Sequence, residues 1–344
     1  MPHLGRIGRA ALILAALAIA PATQSHADAV ADFYKGKDLR MVVSTTAGTG
    51  YDTYARAVAR HLPRHMPGSP TIVVQNMPGA GGLAAANNIF SVAPRDGTVF
   101  GMVQNTVPFE PLFENASARF DPMKMNWLGT PATEVGLYIV YRTSKVKTLR
   151  DAQMHETIAG TTGTASTPAF YGRLFNEILR TKTRLIGGYP GQLELLLSME
   201  QGETNAMTSP FWSSLKVQRP TWYPQKIVSI IFQYGGAPHP ELKDVPFAMD
   251  LVENTNDKIL LTAASAPLGF GRPYAAPPAV PADRLAVLRA AFAATFKDPQ
   301  FLADCKKQGV ECDDSRTGVQ MDAHIRAAYA ITPEIRQRLI AMQK

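Results

Sequence analysis

Short apolar runs that end in small-residue, glycine-rich loops alternate along this chain with stretches of helical period. That alternation predicts an α/β fold of mainly parallel sheets flanked by helices. Residues 39–44 read as a strand, 45–50 as a small-residue loop and 51–65 as a helix. The unit then recurs: Ile72, Val73 and Val74 form a continuous apolar run, as in a buried parallel strand, and feed Pro78, Gly79, Gly81 and Gly82 before a helix over 83–90. A third strand, 98–103, ends in Gln104 and Asn105, whose amides both donate and accept.

The middle of the chain repeats the logic. A strand ending at Gly160 runs into a Gly, Thr, Ala and Ser stretch, and Pro168 opens a helix to Leu179 with Phe170, Leu174, Phe175 and Ile178 on one face. Ser166 or Thr167 is its expected N-cap. Leu185 and Ile186 lead into Gly187, Gly188, Tyr189, Pro190 and Gly191, then a helix from Gln192 closed by Gly202. Residues 226–232 predict another strand, and the proline-rich 235–246 a return connection. Helices are expected over 281–296, 300–308, 317–329 and 333–342. The first lobe is thus placed at 28–126 and 238–344, and the second at 127–237.

The N-terminus changes the picture. Arg6 and Arg9 precede an apolar run over 10–20 and the small-x-small sequence Ser25-His26-Ala27, the pattern of a secretory signal peptide over 1–27 and of export to the periplasm. The remaining stretch of about 317 residues exceeds the size at which one core stops growing, which favours two lobes. The full chain carries net +7 and the exported part +5, with no basic run interleaved with aromatics, so nucleic acid is not an expected partner. Cys305 and Cys312 are the only cysteines; in an oxidising compartment they form either a disulfide or two buried thiols.

Loops that follow parallel strands are where ligands sit in α/β sheets. The candidate ligand-binding residues are Thr46, Ala47, Gly48, Thr49, Gly50, Tyr51, Asn76, Gly79, Ala80, Gly81, Gly82, Gln104 and Asn105 in the first lobe. In the second they are Thr161, Gly163, Thr164, Ala165, Ser166, Gly188 and Tyr189. These loops are rich in amides and hydroxyls and poor in fixed charge, which suits a small carboxylate held at helix N-termini.

Competing readings are weaker. Gly79, Gly81 and Ala84 fit the dinucleotide spacing G-x-G-x-x-A, but the acid wanted about 20 residues on has no candidate at a strand end, since Asp96 lies in a Pro-Arg-Asp-Gly turn. His61 and His65 are spaced as metal ligands on a helix, yet Pro63 interrupts them and no ligand set is completed nearby. Ser213 to Lys216 matches S-x-x-K without its companion motifs. Asp52 reads as a cap or first-turn acid with Arg56 as its i+4 partner. No catalytic group, metal or cofactor is expected.

The chain resembles the periplasmic solute-binding proteins of tripartite tricarboxylate transporters, the Bug family. The resemblance rests on the loop 45–52 ending in Asp52, the Asn-x-Pro-Gly-Ala-Gly-Gly run 76–82, the Ala-Pro-x-Asp-Gly turn 93–97 and the Gly-Tyr-x-Gly segment 188–191. It implies a two-lobed, type II periplasmic-binding-protein fold that closes as a monomer on a di- or tricarboxylate or aromatic acid, gripping it through backbone amides and water. Transporter membrane subunits are the implied partners, with a periplasmic sensor kinase as the alternative. Met77 and Tyr51 depart from the family pattern. Tyr51 either stacks on a longer or aromatic acid or packs on its helix.

Overall fold

The computed structural model describes residues 29–164 and 166–343. Its strands, in chain order, are β1 (Asp38–Val43), β2 (Thr71–Asn76), β3 (Val99–Met102), β4 (Asn126–Thr130), β5 (Gly136–Tyr141), β6 (Thr157–Gly160), β7 (Thr183–Ile186), β8 (Ala206–Met207), β9 (Val228–Tyr234), β10 (Tyr274–Ala276) and β11 (Arg316–Thr317). They form two mixed sheets, ordered β11-β4-β10-β3-β1-β2 and β7-β6-β8-β5-β9. β1 is parallel to β2 and β3, with Val43 opposite both Asn76 and Met102, so the loops that continue from these strands emerge side by side. In the second sheet β6 is parallel to β7 and β8. Along β1, Val42 faces one apolar layer and Met41 and Val43 the other, the two-sided burial that gives a continuous apolar run.

Each sheet also contains a strand reversed against both its neighbours, β10 between β3 and β4 and β5 between β8 and β9. These are the strands the chain enters on passing between lobes. A chain leaving one sheet beside the crevice meets the other at its crevice end, so the first strand there has to run away from the crevice.

Sheet membership gives the segments over which the chain passes from one sheet to the other. β4 pairs with β10, and Trp127 is fully buried against Phe270 with its Nε1 donating to the Pro122 carbonyl, so the first crossing is 131–135. The proline-rich segment does not return to the first lobe. It folds onto β9, where the fully buried Gln233 collects it: its amide donates to the Pro246 carbonyl and its Nε2 to those of Leu242 and Val245. Helix Thr255–Phe270 then packs on the second lobe through Leu260, Leu261, Ala264 and Leu268, and Phe270 reaches the first. The return crossing is 271–273. The C-terminal helix Pro333–Ala341 also joins the second lobe's core through Ile335 and Leu339.

Cys305 and Cys312 are disulfide-bonded, with Cα atoms 6.2 Å apart. The bridge ties helix Pro299–Gln308 to the segment before β11. His61 and His65 each pair with an acid of that region, Asp304 at 3.0 Å and Asp298 at 2.9 Å, which explains their spacing without a metal. Among the described residues no helix is long and apolar enough to cross a membrane.

Candidate functional site

One buried carboxylate organises the first lobe's loops. Thr49 caps helix Gly50–His61, and Asp52 folds back from its first turn. Asp52 Oδ2 accepts from the Gly48 amide and from Arg56 Nε, each at 2.9 Å, and Oδ1 accepts from Asn76 Nδ2 at 2.9 Å. Asn76 Nδ2 also donates to the Thr45 carbonyl at 2.9 Å, and its Oδ1 accepts from Arg56 at 3.2 Å. Burial pushes the Asp52 carboxyl up, but the donors from Arg56, Gly48 and Asn76 outweigh it and hold it below the ordinary carboxylate range. Asp52 and Arg56 thus take the paired roles their spacing suggests, and the Asn76 side chain is spent joining two loops.

The glycine-rich loop turns in a left-handed sense over four successive residues, with φ of 139° at Gly79, 47° at Ala80, 64° at Gly81 and 96° at Gly82. Three glycines adopt this freely; Ala80 does so at a cost of about 1 kcal/mol. The glycines divide by role. A Cβ on Gly82 would come within 3.1 Å of Val107 Cγ2 and 3.2 Å of Gln104 Nε2, so Gly82 faces inward. A Cβ on Gly81, Gly48 or Gly50 would meet nothing within 4 Å, so these face open space.

Tyr51 is half-buried and bonded within its own lobe. Its hydroxyl donates to Asn105 Oδ1 and accepts from the Asn105 amide, both at 3.1 Å, and its ring lies 4.7 Å from the Arg272 guanidinium. Burial pushes its hydroxyl pKa up. Asn105 Nδ2 donates to the Pro267 carbonyl at 3.0 Å, so both side chains are engaged in the fold, while Gln104 lies half-buried beneath Gly82.

In the second lobe the Thr161 amide donates to the Ile186 carbonyl at 2.7 Å and its own carbonyl accepts from Tyr189, which joins the loops after β6 and β7. Ser166 precedes helix Thr167–Ile178, but its Oγ donates to the Gly163 carbonyl at 2.7 Å rather than capping that helix. Helix Gln192–Gln201 likewise starts from Gly191 without a side-chain cap. Two helix N-termini therefore open at the carboxyl ends of β6 and β7 with first-turn amides not used by caps, the setting in which an anion binds. Thr164 is exposed there, and a Cβ on Gly163 or Gly188 would meet nothing within 4 Å. Tyr189 forms a wall over Gly160 and donates to Glu203 at 3.1 Å. Ala165 and the 1–27 segment lie outside the described residues.

Sequence reasoning missed two features. Ser44, the last residue of the first predicted strand, has a fully buried Oγ without a partner beside Gly82. Its signal was a hydroxyl closing an apolar run. Glu134 and Arg272, one on each crossing, form a buried ion pair at 2.8 Å; burial pushes the Glu134 carboxyl up against the pull of Arg272. The one signal Arg272 offers is that of a lone cation in an apolar segment.

Two lobes, each a mixed sheet flanked by helices and joined by two crossings, define the two-lobed fold of periplasmic binding proteins. Solved structures share this fold. A TctC solute-binding protein from Polaromonas superposes with a TM-score of 0.72 at 17% identity, over 90% of this chain and 99% of that one. A Rhodopseudomonas palustris protein with adipate gives 0.61 at 16% identity, over 88% and 97%. MatC from the same organism, with bound malate, gives 0.58 at 17%, over 90% and 99%. In sequence, the UPF0065 protein in the gbd 5′ region of Cupriavidus necator is 31% identical over 146 residues, 42% of this chain and 43% of that protein's length. No family model matches the chain. The fold is that of the TctC and BugD binding proteins. The dinucleotide reading also fails on topology, because the G-x-G-x-x-A loop comes after β2, the edge strand, and not the central strand of the sheet.

Proposed function

We propose that this chain is an exported member of the Bug family that captures a small carboxylate between its lobes and delivers it to a tripartite tricarboxylate-type membrane transporter. The observation that carries the reading is that Gly48, Gly50 and Gly81 open onto free space in one lobe, while helices Thr167–Ile178 and Gln192–Gln201 start without side-chain caps in the other. One acid group rests on the amides of residues 47–51 and 79–82, and the other end of the ligand meets Thr161, Gly163, Thr164 and Ser166. Arg56, the cation beside the loops, is already compensated by Asp52, so recognition falls to amides and hydroxyls. Binding energy shifts the open population toward a closed one, which the transporter recognises. The neighbours solved with malate and adipate support an aliphatic dicarboxylate as the first class to test. Calorimetric titration of the chain from residue 28 with these acids, beside its Gly81→Val variant, tests the site. The variant is expected to fold and to lose binding, and retained affinity would refute this placement.

A further inference from the structure

The two crossings are linked by side chains that also reach the binding loop. Glu134 lies on the first and Arg272 on the second, and both are buried, 4% and 8% exposed. Their backbones are tied as well: the Glu134 amide donates to the Leu268 carbonyl at 2.9 Å and the Arg272 amide to Thr130 Oγ1 at 3.0 Å. The second oxygen of Glu134 accepts from Ser213 Oγ at 2.7 Å, on helix Trp212–Gln218 of the second lobe. On the other side the guanidinium faces the rings of Tyr51 and Tyr54, at 4.7 and 5.2 Å, on the helix that begins where the binding loop ends. Tyr54 continues a parallel line: its hydroxyl donates to the Glu311 carbonyl at 2.7 Å, and the Glu311 carboxylate pairs at 2.5 Å with Lys216 of that same second-lobe helix.

A buried ion pair adds little stability over a well-packed apolar pair, because desolvating two charges offsets their attraction. What it supplies is direction. Any lobe rotation that drew Glu134 from Arg272 would leave a buried charge uncompensated. We propose that Arg272 is a positioning residue for ligand capture: paired with Glu134 it clasps the two crossings into one unit, and through Tyr51 it ties that unit to the loop 45–50. Closure of the hinge and order in the binding loop are then one coupled equilibrium. This role rests on the reading of the crevice as a ligand site, but its test needs no ligand.

The test is hydrogen exchange at the Gly48, Asp52 and Thr53 amides, each hydrogen-bonded within the loop and first helical turn. Glu134→Gln keeps the Ser213 bond and removes the charge facing Arg272. It is expected to speed exchange at these amides by about 10-fold, and by less than about 2-fold when Tyr51→Leu, which removes the ring facing Arg272, is already present, because the two residues act along one line. Amides of helix Thr167–Ile178 serve as the reference for general loss of stability and should be unchanged. Should Glu134→Gln not fold, the paired change Glu134→Leu with Arg272→Met removes both charges and is put through the same cycle. Unchanged loop exchange, or equal effects with and without the Tyr51 ring, overturns the proposal. Neither result bears on whether a carboxylate binds, so the two claims fail separately.

Discussion

The side-chain amide of Asn76 donates to the Asp52 carboxylate and to the Thr45 carbonyl, both at 2.9 Å, so the last residue of β2 fixes the loop that leaves β1. Asn76→Ala removes a hydrogen bond to a buried charge and one to a backbone carbonyl. It is expected to cost about 2 kcal/mol of stability and to weaken carboxylate binding more than the remote exposed change Val319→Ala. Urea midpoints and titration calorimetry of both variants check this.

Gly271, on the return crossing, tolerates no side chain. A Cβ there would stand 1.8 Å from the Ala132 carbonyl oxygen, at a φ of 51°. Gly271→Ala is therefore expected to destabilise by about 3 kcal/mol or more. Gly48→Ala, also at positive φ but in open space, should cost only about 1 kcal/mol. Equal urea midpoints for the two variants would contradict the assignment of the crossing.

The Cys305–Cys312 bridge closes a short loop that presents the Glu311 carbonyl to Tyr54. Replacing both cysteines with serine is expected to lower stability by about 2 to 3 kcal/mol on the loop-entropy account. Denaturant unfolding of the variant, and of the wild type under a thiol reductant, should show matching losses.

Acid should loosen the first lobe. For Asp52, Asp298 and Asp304 burial pushes the carboxyl up, but hydrogen bonds and cations outweigh it, so each is held below its unfolded value. Their contribution is complete above the ordinary carboxylate pKa of about 4 and is lost as the pH falls through the lower folded values. Glu134 and Asp322 are pushed up by burial and act in the opposite sense, above that range. Urea midpoints should therefore decline as the pH drops below about 4, and a continued rise there would contradict the Asp52 latch.

Much of this was legible in the sequence, for identifiable reasons. β1 announced itself because both of its faces are covered, which forces a continuous apolar run into a loop; β2 is instead the edge strand, with Val73 exposed and Ile72 and Val74 only partly buried, so its apolar run overstated its burial. Asp52 and Arg56 were readable because helical spacing alone places them together. Segment 235–246 misled because its prolines look like linker, and only the buried amide of Gln233, supplied by β9, gives that backbone its partners. Tyr51 remained open between lid and packing because its partners, Asn105 and Arg272, lie 54 and 221 residues away. The Glu134–Arg272 pair was hidden for the same reason: long-range charge pairing leaves no local pattern.

The central claim, capture of a small carboxylate between the lobes, is tested most directly by a thermal-shift series on the chain from residue 28. Aliphatic dicarboxylates, tricarboxylates, aromatic acids and NAD would be compared at equal ionic strength, since a ligand that binds only the native state raises its melting temperature. The account predicts a concentration-dependent rise with one class of carboxylate and none with NAD. A rise with NAD alone would contradict it.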